Sequence, residues 1–141
     1  MTKVYRTEEV ETTALNKVSI EIKSGEFVSI MGPSGCGKSP LLNIMGLIDN
    51  PSDGDYYFLD EEVSGYSERQ RSHLRKNNIG FIFQSFNLIQ QLTVRENIEM
   101  PMYYQGRSPH ECAERARELA DLVGLGDRLN HRPTELSGGQ Q

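Results

Sequence analysis

No apolar stretch in the chain approaches the roughly 18–20 residues that a membrane-spanning helix needs. A secretory leader, with its basic start and short apolar run, is not expected either. Basic runs and basic tails are missing. Lys and Arg number 15 against 20 Asp and Glu, for a net charge of −5, so non-specific nucleic-acid binding is not expected. Cysteine is scarce: Cys36 and Cys112 lie far apart and fit no metal spacing, which points to a reducing compartment. His73, His110 and His131 have no ligand partners at metal spacing. Internal repeats and low-complexity segments are absent too. A chain of 141 residues can bury one real core. The expectation is a soluble, cytoplasmic chain whose membrane role, if any, comes through a partner or through sequence outside these residues.

Hydrophobic periodicity and turn chemistry order the chain. Asn16 to Met31 reads as two short strands around a Ser24-Gly25 turn, with Val18, Ile20 and Ile22 alternating. Glu26 to Met31 reads as a buried strand, and Leu41 to Met45 as a helix. Asp49-Asn50-Pro51-Ser52-Asp53-Gly54 is dense in turn formers, and Tyr56 to Leu59 reads as a strand. The run Ile79-Gly80-Phe81-Ile82-Phe83-Gln84 reads as an apolar strand ending in a lone amide. Ser67 to Gln70, Thr93 to Glu96 and Ser108 to Glu111 are capping boxes at helix starts. The last has Pro109 at the first helical position, where a missing N–H costs nothing. That helix should run to about Val123, with Cys112, Ala116, Leu119 and Val123 on one face and Gly124 as a stop. Pro101 should kink or end the helix begun at Thr93.

Between the strand at Glu26–Met31 and the helix at Leu41–Met45 lies Gly32-Pro33-Ser34-Gly35-Cys36-Gly37-Lys38-Ser39. This is the G-x-x-x-x-G-K-[ST] spacing. Its glycines let backbone N–H groups turn inward around an anion. Lys38 supplies a point charge for outer phosphates, and the Ser39 hydroxyl is placed for Mg²⁺. The following helix turns its positive end to the same place. A chance Gly-rich turn would lack this strand and helix context. GTPases, kinases and transport ATPases share the motif, so it gives phosphate binding but not the reaction.

Two further sites narrow the choice. Gln84 ends its apolar run and is followed by Ser85-Phe86-Asn87-Leu88. Near the end of the chain stands Leu136-Ser137-Gly138-Gly139-Gln140. In these the chain resembles the ATP-binding cassette (ABC) family, whose signature is Leu-Ser-Gly-Gly-Gln. Gly25 to Val28, Asn78 to Leu88, Leu92 to Asn97 and His131 to Glu135 look like the bacterial class serving macrolide-export and lipoprotein-release transporters. The resemblance covers essentially the whole chain. It implies an α/β fold: a P-loop NTPase core with a small antiparallel β part and a helical insertion. Residues 1–86 would form the nucleotide-binding core, and 87–141 a helical subdomain ending at the signature.

The same resemblance implies roles. Tyr5 would stack on adenine. Gly32, Pro33, Ser34, Gly35, Cys36, Gly37, Lys38, Ser39 and Pro40 would line the ATP phosphates. Ser39 and Gln84 would serve Mg²⁺, with Gln84 also reaching the attacking water. Ser137, Gly138, Gly139 and Gln140 would complete the ATP site of an opposing subunit. The partners implied are a membrane permease, separate or fused, and a second copy packed head to tail. The place implied is the inner face of the cell membrane. The plainer alternatives are a strand-end tyrosine, a polar strand end at Gln84 and a helix-capping turn at Ser137.

Two departures change the expectation. Position 40 is proline where the family has Thr or Ser. Proline removes an N–H that would point at a phosphate and disfavours helical geometry at Ser39. The lost charge-assisted bond should weaken nucleotide binding about 10- to 150-fold. Second, Gln141 directly follows the signature. The family pattern continues with a strand ending in Asp-Glu, which holds Mg²⁺ and activates water, and with a later histidine. The Asp60-Glu61-Glu62 cluster is not that pair. The expectation is an incomplete chain, short at its N-terminus and cut off after the signature. A different class is therefore weighed: a non-catalytic relic that at most binds nucleotide or a membrane subunit. A kinase or GTPase is disfavoured by the signature and by the lack of an Asn-Lys-x-Asp guanine-reading sequence.

Overall fold

A computed structural model describes residues 1–7 and 10–141. The chain forms two compact units, Met1–Ile79 and Gly80–Gln141.

The first unit opens with an antiparallel hairpin of β1 (Lys3–Arg6) and β2 (Glu11–Leu15), with Tyr5 opposite Thr12. A bridge between Thr2 and Asp53 ties it to the turn-rich segment. Helix α1 (Lys38–Met45) ends at Gly46, whose N–H caps Leu42. Leu15 of β2, with Leu41 and Ile44 of α1, forms the core, and Met1, Val18, Ile30, Met45 and Tyr56 pack around it. A second hairpin pairs β3 (Tyr57–Phe58) with β4 (Glu61–Glu62). Its two-residue loop, Leu59 and Asp60, has positive φ at both positions, the twist that tight hairpins favour. Helix α2 (Glu68–Asn78) follows. The Gln70 carboxamide accepts from both the N–H and the hydroxyl of Ser67.

The second unit is built on α3 (Val94–Tyr104) and α4 (Pro109–Leu122). Met102, Cys112 and Ala116 are buried between them, with Ile98 against the cluster. Both expected capping boxes form: Glu96 N–H donates to the Thr93 hydroxyl, and Glu111 N–H to that of Ser108. Two amides at the start of α3, Val94 and Arg95, donate to the carbonyls of His131 and Leu129. Short 3₁₀ turns occupy Gly126–Arg128 and Pro133–Glu135.

Five expectations are corrected. Among the described residues, Asn16 to Met31 holds a turn at Ser24-Gly25 but no strand, and Ile79 to Gln84 forms none. Strand backbone needs a ladder partner, and the described strands pair only as the two hairpins. Side chains there stay open: Phe27, Met31 and Ile82 are exposed. Period two survives at Phe81 and Phe83, whose rings stack at 5.4 Å. The Tyr56–Leu59 strand shrinks to Tyr57–Phe58. Pro101 does not end α3, which runs on to Tyr104; proline forfeits only one amide donor there, and later amides close onto the Pro101 and Met102 carbonyls. Finally, α4 ends at Leu122 with Val123 as its cap, close to the expected end, but Val123 is exposed and Ala120 takes the buried position.

Candidate functional site

The phosphate loop sits in the first unit, directly before α1. Gly35 and Gly37 both have positive φ, 79° and 95°. Gly37 has a second constraint: a Cβ there would lie 2.4 Å from the Ala14 carbonyl oxygen and 3.0 Å from Leu15 Cδ2. Only glycine lets the loop press against β2. Gly32 differs: a Cβ would meet Cys36 Sγ at 2.6 Å, the end of a side chain that can turn away. At Gly35, by contrast, the space around a Cβ is open.

Lys38 reaches back over its own loop. Its ammonium donates to the carbonyls of Gly32 at 2.8 Å and Pro33 at 2.7 Å and lies 3.5 Å from Cys36 Sγ. Ser39 and Cys36 are exposed. The first bond of α1 is Leu41 N–H to Gly37 O, at 3.0 Å. The amides of Lys38 and Ser39 therefore fall before the ladder, as orphan donors at a positive helix end. Pro40 stands third in this turn and brings no donor. A loop with one lysine, two orphan amides and open space beside Gly35 fits a phosphate anion. The misfit is confined to position 40.

Tyr5 lies on β1, the strand that pairs with β2, and β2 touches the loop through Ala14 and Leu15. Its hydroxyl donates to Asp49 Oδ2 at 3.2 Å, and the Lys3 ammonium lies 5.0 Å from its ring centroid. Lys3 also donates to Asp49 Oδ1 at 2.6 Å. Burial, then the Asp49 carboxylate, raises the Tyr5 phenol above its ordinary value. Burial works to raise the Asp49 carboxyl. The Lys3 ammonium, the Asn50 N–H and the Tyr5 hydroxyl outweigh it and hold the group below its ordinary value. Neither Asp49 nor Lys3 stands out in the sequence. Their signal is the i, i+2 spacing of Lys3 and Tyr5, which places both on one face of a strand.

The second unit carries the other two sites. Gln84 and the signature residues Ser137 to Gln140 are exposed. Leu136 anchors the signature, 9% exposed, beside a fully buried Pro133. The Gln140 carboxamide accepts from Ser137 N–H at 3.0 Å, and Gln140 N–H returns to Ser137 O at 2.9 Å. The turn is thus self-capped, and Ser137 is exposed. A Cβ on Gly138 would lie 3.9 Å from the Phe86 ring, so the segment after Gln84 meets the signature. Asn97 fixes that segment further, donating to the carbonyls of Ile89, Leu92 and Thr93 and accepting from Ile89 N–H. Sequence reasoning missed both contacts, because nothing local marks them. His73 and His110 are exposed, and no metal-holding cluster of His, Cys, Asp or Glu occurs among the described residues. No helix of the described residues is long and apolar enough to cross a membrane.

Comparison with known proteins places these features. The profile of the ABC transporter family matches residues 15–141. The chain is 50% identical over 139 residues to an uncharacterized ABC transporter ATP-binding protein of Methanocaldococcus jannaschii, covering 99% of this chain and 62% of that protein. It is 46% identical to a macrolide export ATP-binding/permease protein of Azoarcus sp., covering 100% of this chain and 22% of that protein. A solved dimeric ATP-binding cassette, MJ0796, in a post-hydrolysis state bound to ADP and Pi, superposes at a TM-score of 0.89 with 43% identity. The match covers 99% of this chain and 62% of that one. The chain spans about three fifths of the length of the first of these relatives and of the solved cassette. The chain belongs to the ABC transporter family, and its fold is that of the P-loop ATPase cassette.

Proposed function

We propose that this ABC-family chain binds ATP on the Gly32–Ser39 loop and serves a membrane exporter of the macrolide-export or lipoprotein-release type. One observation carries the reading. A single chain holds both a phosphate loop with Lys38 folded over it and a self-capped, exposed Ser137–Gln140 turn. A loop alone fits any P-loop protein, whereas the two together fit a cassette that completes its site with a second copy. The solved relative's dimer supports that partner, and the permease-fused relatives support a membrane subunit, separate or fused. The cytoplasmic face of the membrane follows from such a partner.

In this reading Tyr5 seats the adenine. Gly32 to Ser39 surround the phosphates, and Pro40 leaves one gap. Lys38 exchanges the Gly32 and Pro33 carbonyls for phosphate oxygens. Ser39 and Gln84 offer a hydroxyl and an amide oxygen to Mg²⁺, both hard oxygen donors of the kind that ion takes. Bound there, Mg²⁺ supplies charge neutralisation to the outer phosphates. Ser137, Gly138, Gly139 and Gln140 are presented to the γ-phosphate of the opposing copy. By role, residues 1–86 form the nucleotide core and 87–141 the helical subdomain, which keeps Gln84 with the core although the compact units meet at Ile79.

The test is Mg-ATP titration of the chain and of Lys38→Ala. Binding that disappears with the lysine is the expected result; equal binding by the two would overturn the reading. Pro40 favours a second reading, in which the chain binds nucleotide weakly and does not turn it over. Phosphate release dependent on Lys38, from the 141-residue polypeptide, would exclude it.

A further inference from the structure

We propose that Asp49, together with Lys3, is a positioning residue for the Tyr5 ring, holding it as a pre-set platform for a purine base. The proposal rests on the ATP reading above and adds residues that nothing local in the sequence marks. One carboxylate holds two side chains of the same strand face: Oδ1 accepts from Lys3 at 2.6 Å and Oδ2 from the Tyr5 hydroxyl at 3.2 Å. Asp49 is itself fixed, because Asn50 N–H donates to Oδ1 at 2.8 Å and Lys3 also bonds the Asn50 carbonyl at 2.8 Å. Strand β1 is docked onto the same segment through Ser52, whose hydroxyl accepts from Val4 N–H at 3.0 Å and donates to Val4 O at 3.2 Å.

The result is a tyrosine whose ring torsion is set although the residue is 42% exposed. The Lys3 ammonium lies 5.0 Å from the ring centroid, a cation–π distance, and the residue keeps exposed surface for a base. A ring held before binding avoids the ordering cost that a free surface side chain meets on stacking.

The experiment compares ATP with inorganic tripolyphosphate, which lacks the base. Affinities are measured for the unmodified chain, Asp49→Ala, Tyr5→Phe and the double variant. Tyr5→Phe keeps the ring and the fold and removes only the hydroxyl. Expected is a two- to tenfold loss of ATP affinity, roughly the ordering cost of one side chain, in each single variant. Tripolyphosphate affinity stays unchanged, and the double variant loses no more than either single. A nucleotide-free readout accompanies it: the Tyr5 phenol, assigned by NMR through its absence in Tyr5→Phe, titrates at lower pH in Asp49→Ala.

A silent Tyr5→Phe, or equal losses of ATP and tripolyphosphate in Asp49→Ala, would overturn the positioning role. Tripolyphosphate bound as tightly as ATP by the unmodified chain would also overturn it, while leaving phosphate binding intact. Failure of the unmodified chain to bind either would overturn the ATP reading itself, and this proposal with it.

Discussion

Replacing Pro40 by threonine is the perturbation whose effect is most directly set by geometry. The first bond of α1 is Leu41 N–H to Gly37 O at 3.0 Å, so the amide at position 40 lies outside the helical ladder. Restoring it adds a donor aimed out of the helix start and leaves the helix itself unchanged. A hydrogen bond to a charged partner contributes about 1.5–3 kcal/mol, which is about a 10- to 150-fold gain in affinity. Lys38 must leave the Gly32 and Pro33 carbonyls in both variants, so that cost cancels. Stability should move the other way. Proline restricts the unfolded chain, and losing it costs about 0.4–1 kcal/mol where its native φ is unstrained. Position 40 lies in the first turn of α1, where proline's own φ fits a helix, although Ser39 before it is helical against proline's preference and its relief offsets part of that cost. The assay is titration with a fluorescent ATP analogue beside thermal melts without ligand. Tighter binding by at least about tenfold, with an unchanged or slightly lower melting point, is expected. Equal affinity in two equally folded variants would refute the reasoning, since the restored amide would then not face the phosphate.

Gly37→Ala combines positive φ with a 2.4 Å approach to the Ala14 carbonyl. It should cost at least about 1–3 kcal/mol of stability, read as a lower denaturation midpoint, and abolish nucleotide binding. Alkylating Cys36, 3.5 Å from the Lys38 ammonium, should block ATP binding in a Cys112→Ala background; equal affinity before and after modification would show that the thiol merely fills space. Acid should loosen three carboxylate contacts. Glu96 is held below its ordinary value of 4.5 by the Thr93 N–H and then the Thr93 hydroxyl. Glu111 is held below its ordinary 4.5 by the Ser108 hydroxyl and then the Ser108 N–H. Asp49 is held below its ordinary 3.8 by Lys3, Asn50 and Tyr5, against the opposing effect of burial. Folded values lie below unfolded ones, so this stabilisation is full above the ordinary values and is lost as pH falls through the folded ones. Thermal melts at about pH 7 and about pH 3 should differ accordingly, and the difference should shrink in a Glu96→Gln, Glu111→Gln double variant.

The features legible in the sequence are those whose physics is contiguous. A capping box spans four residues, and those at Thr93 and Ser108 close as expected. The third also forms at Ser67, where Gln70 makes the reciprocal bonds. The phosphate loop is eight consecutive residues whose glycines set its shape, and the signature is a turn capped by its own Gln140. Proline was read as kinking or ending the helix at position 101; the helix does not end there, because one missing donor costs little near a helix end when the later amides find carbonyls.

What could not be read is whatever depends on a distant partner. Alternation at Ile79 to Gln84 states that the residues could face two sides of a sheet. It does not state that a neighbouring strand is there, and among the described residues none is. The exposed Ile82 and the stacked Phe81 and Phe83 are that alternation without its ladder. The same principle governs Tyr5. An aromatic near a strand end is ambiguous until the residue 44 positions later that accepts its hydroxyl is known. Position 49 in turn looks like one more turn-forming aspartate within Asp49 to Gly54. Only the fold brings Lys3, Tyr5 and Asp49 together. Once it has done so, the tyrosine is no longer a surface ring with free torsions but one whose orientation is set before any ligand arrives. Local chemistry therefore marks the proposed phosphate half of the site from the chain alone, whereas the proposed base half depends on a long-range contact that no window of residues contains.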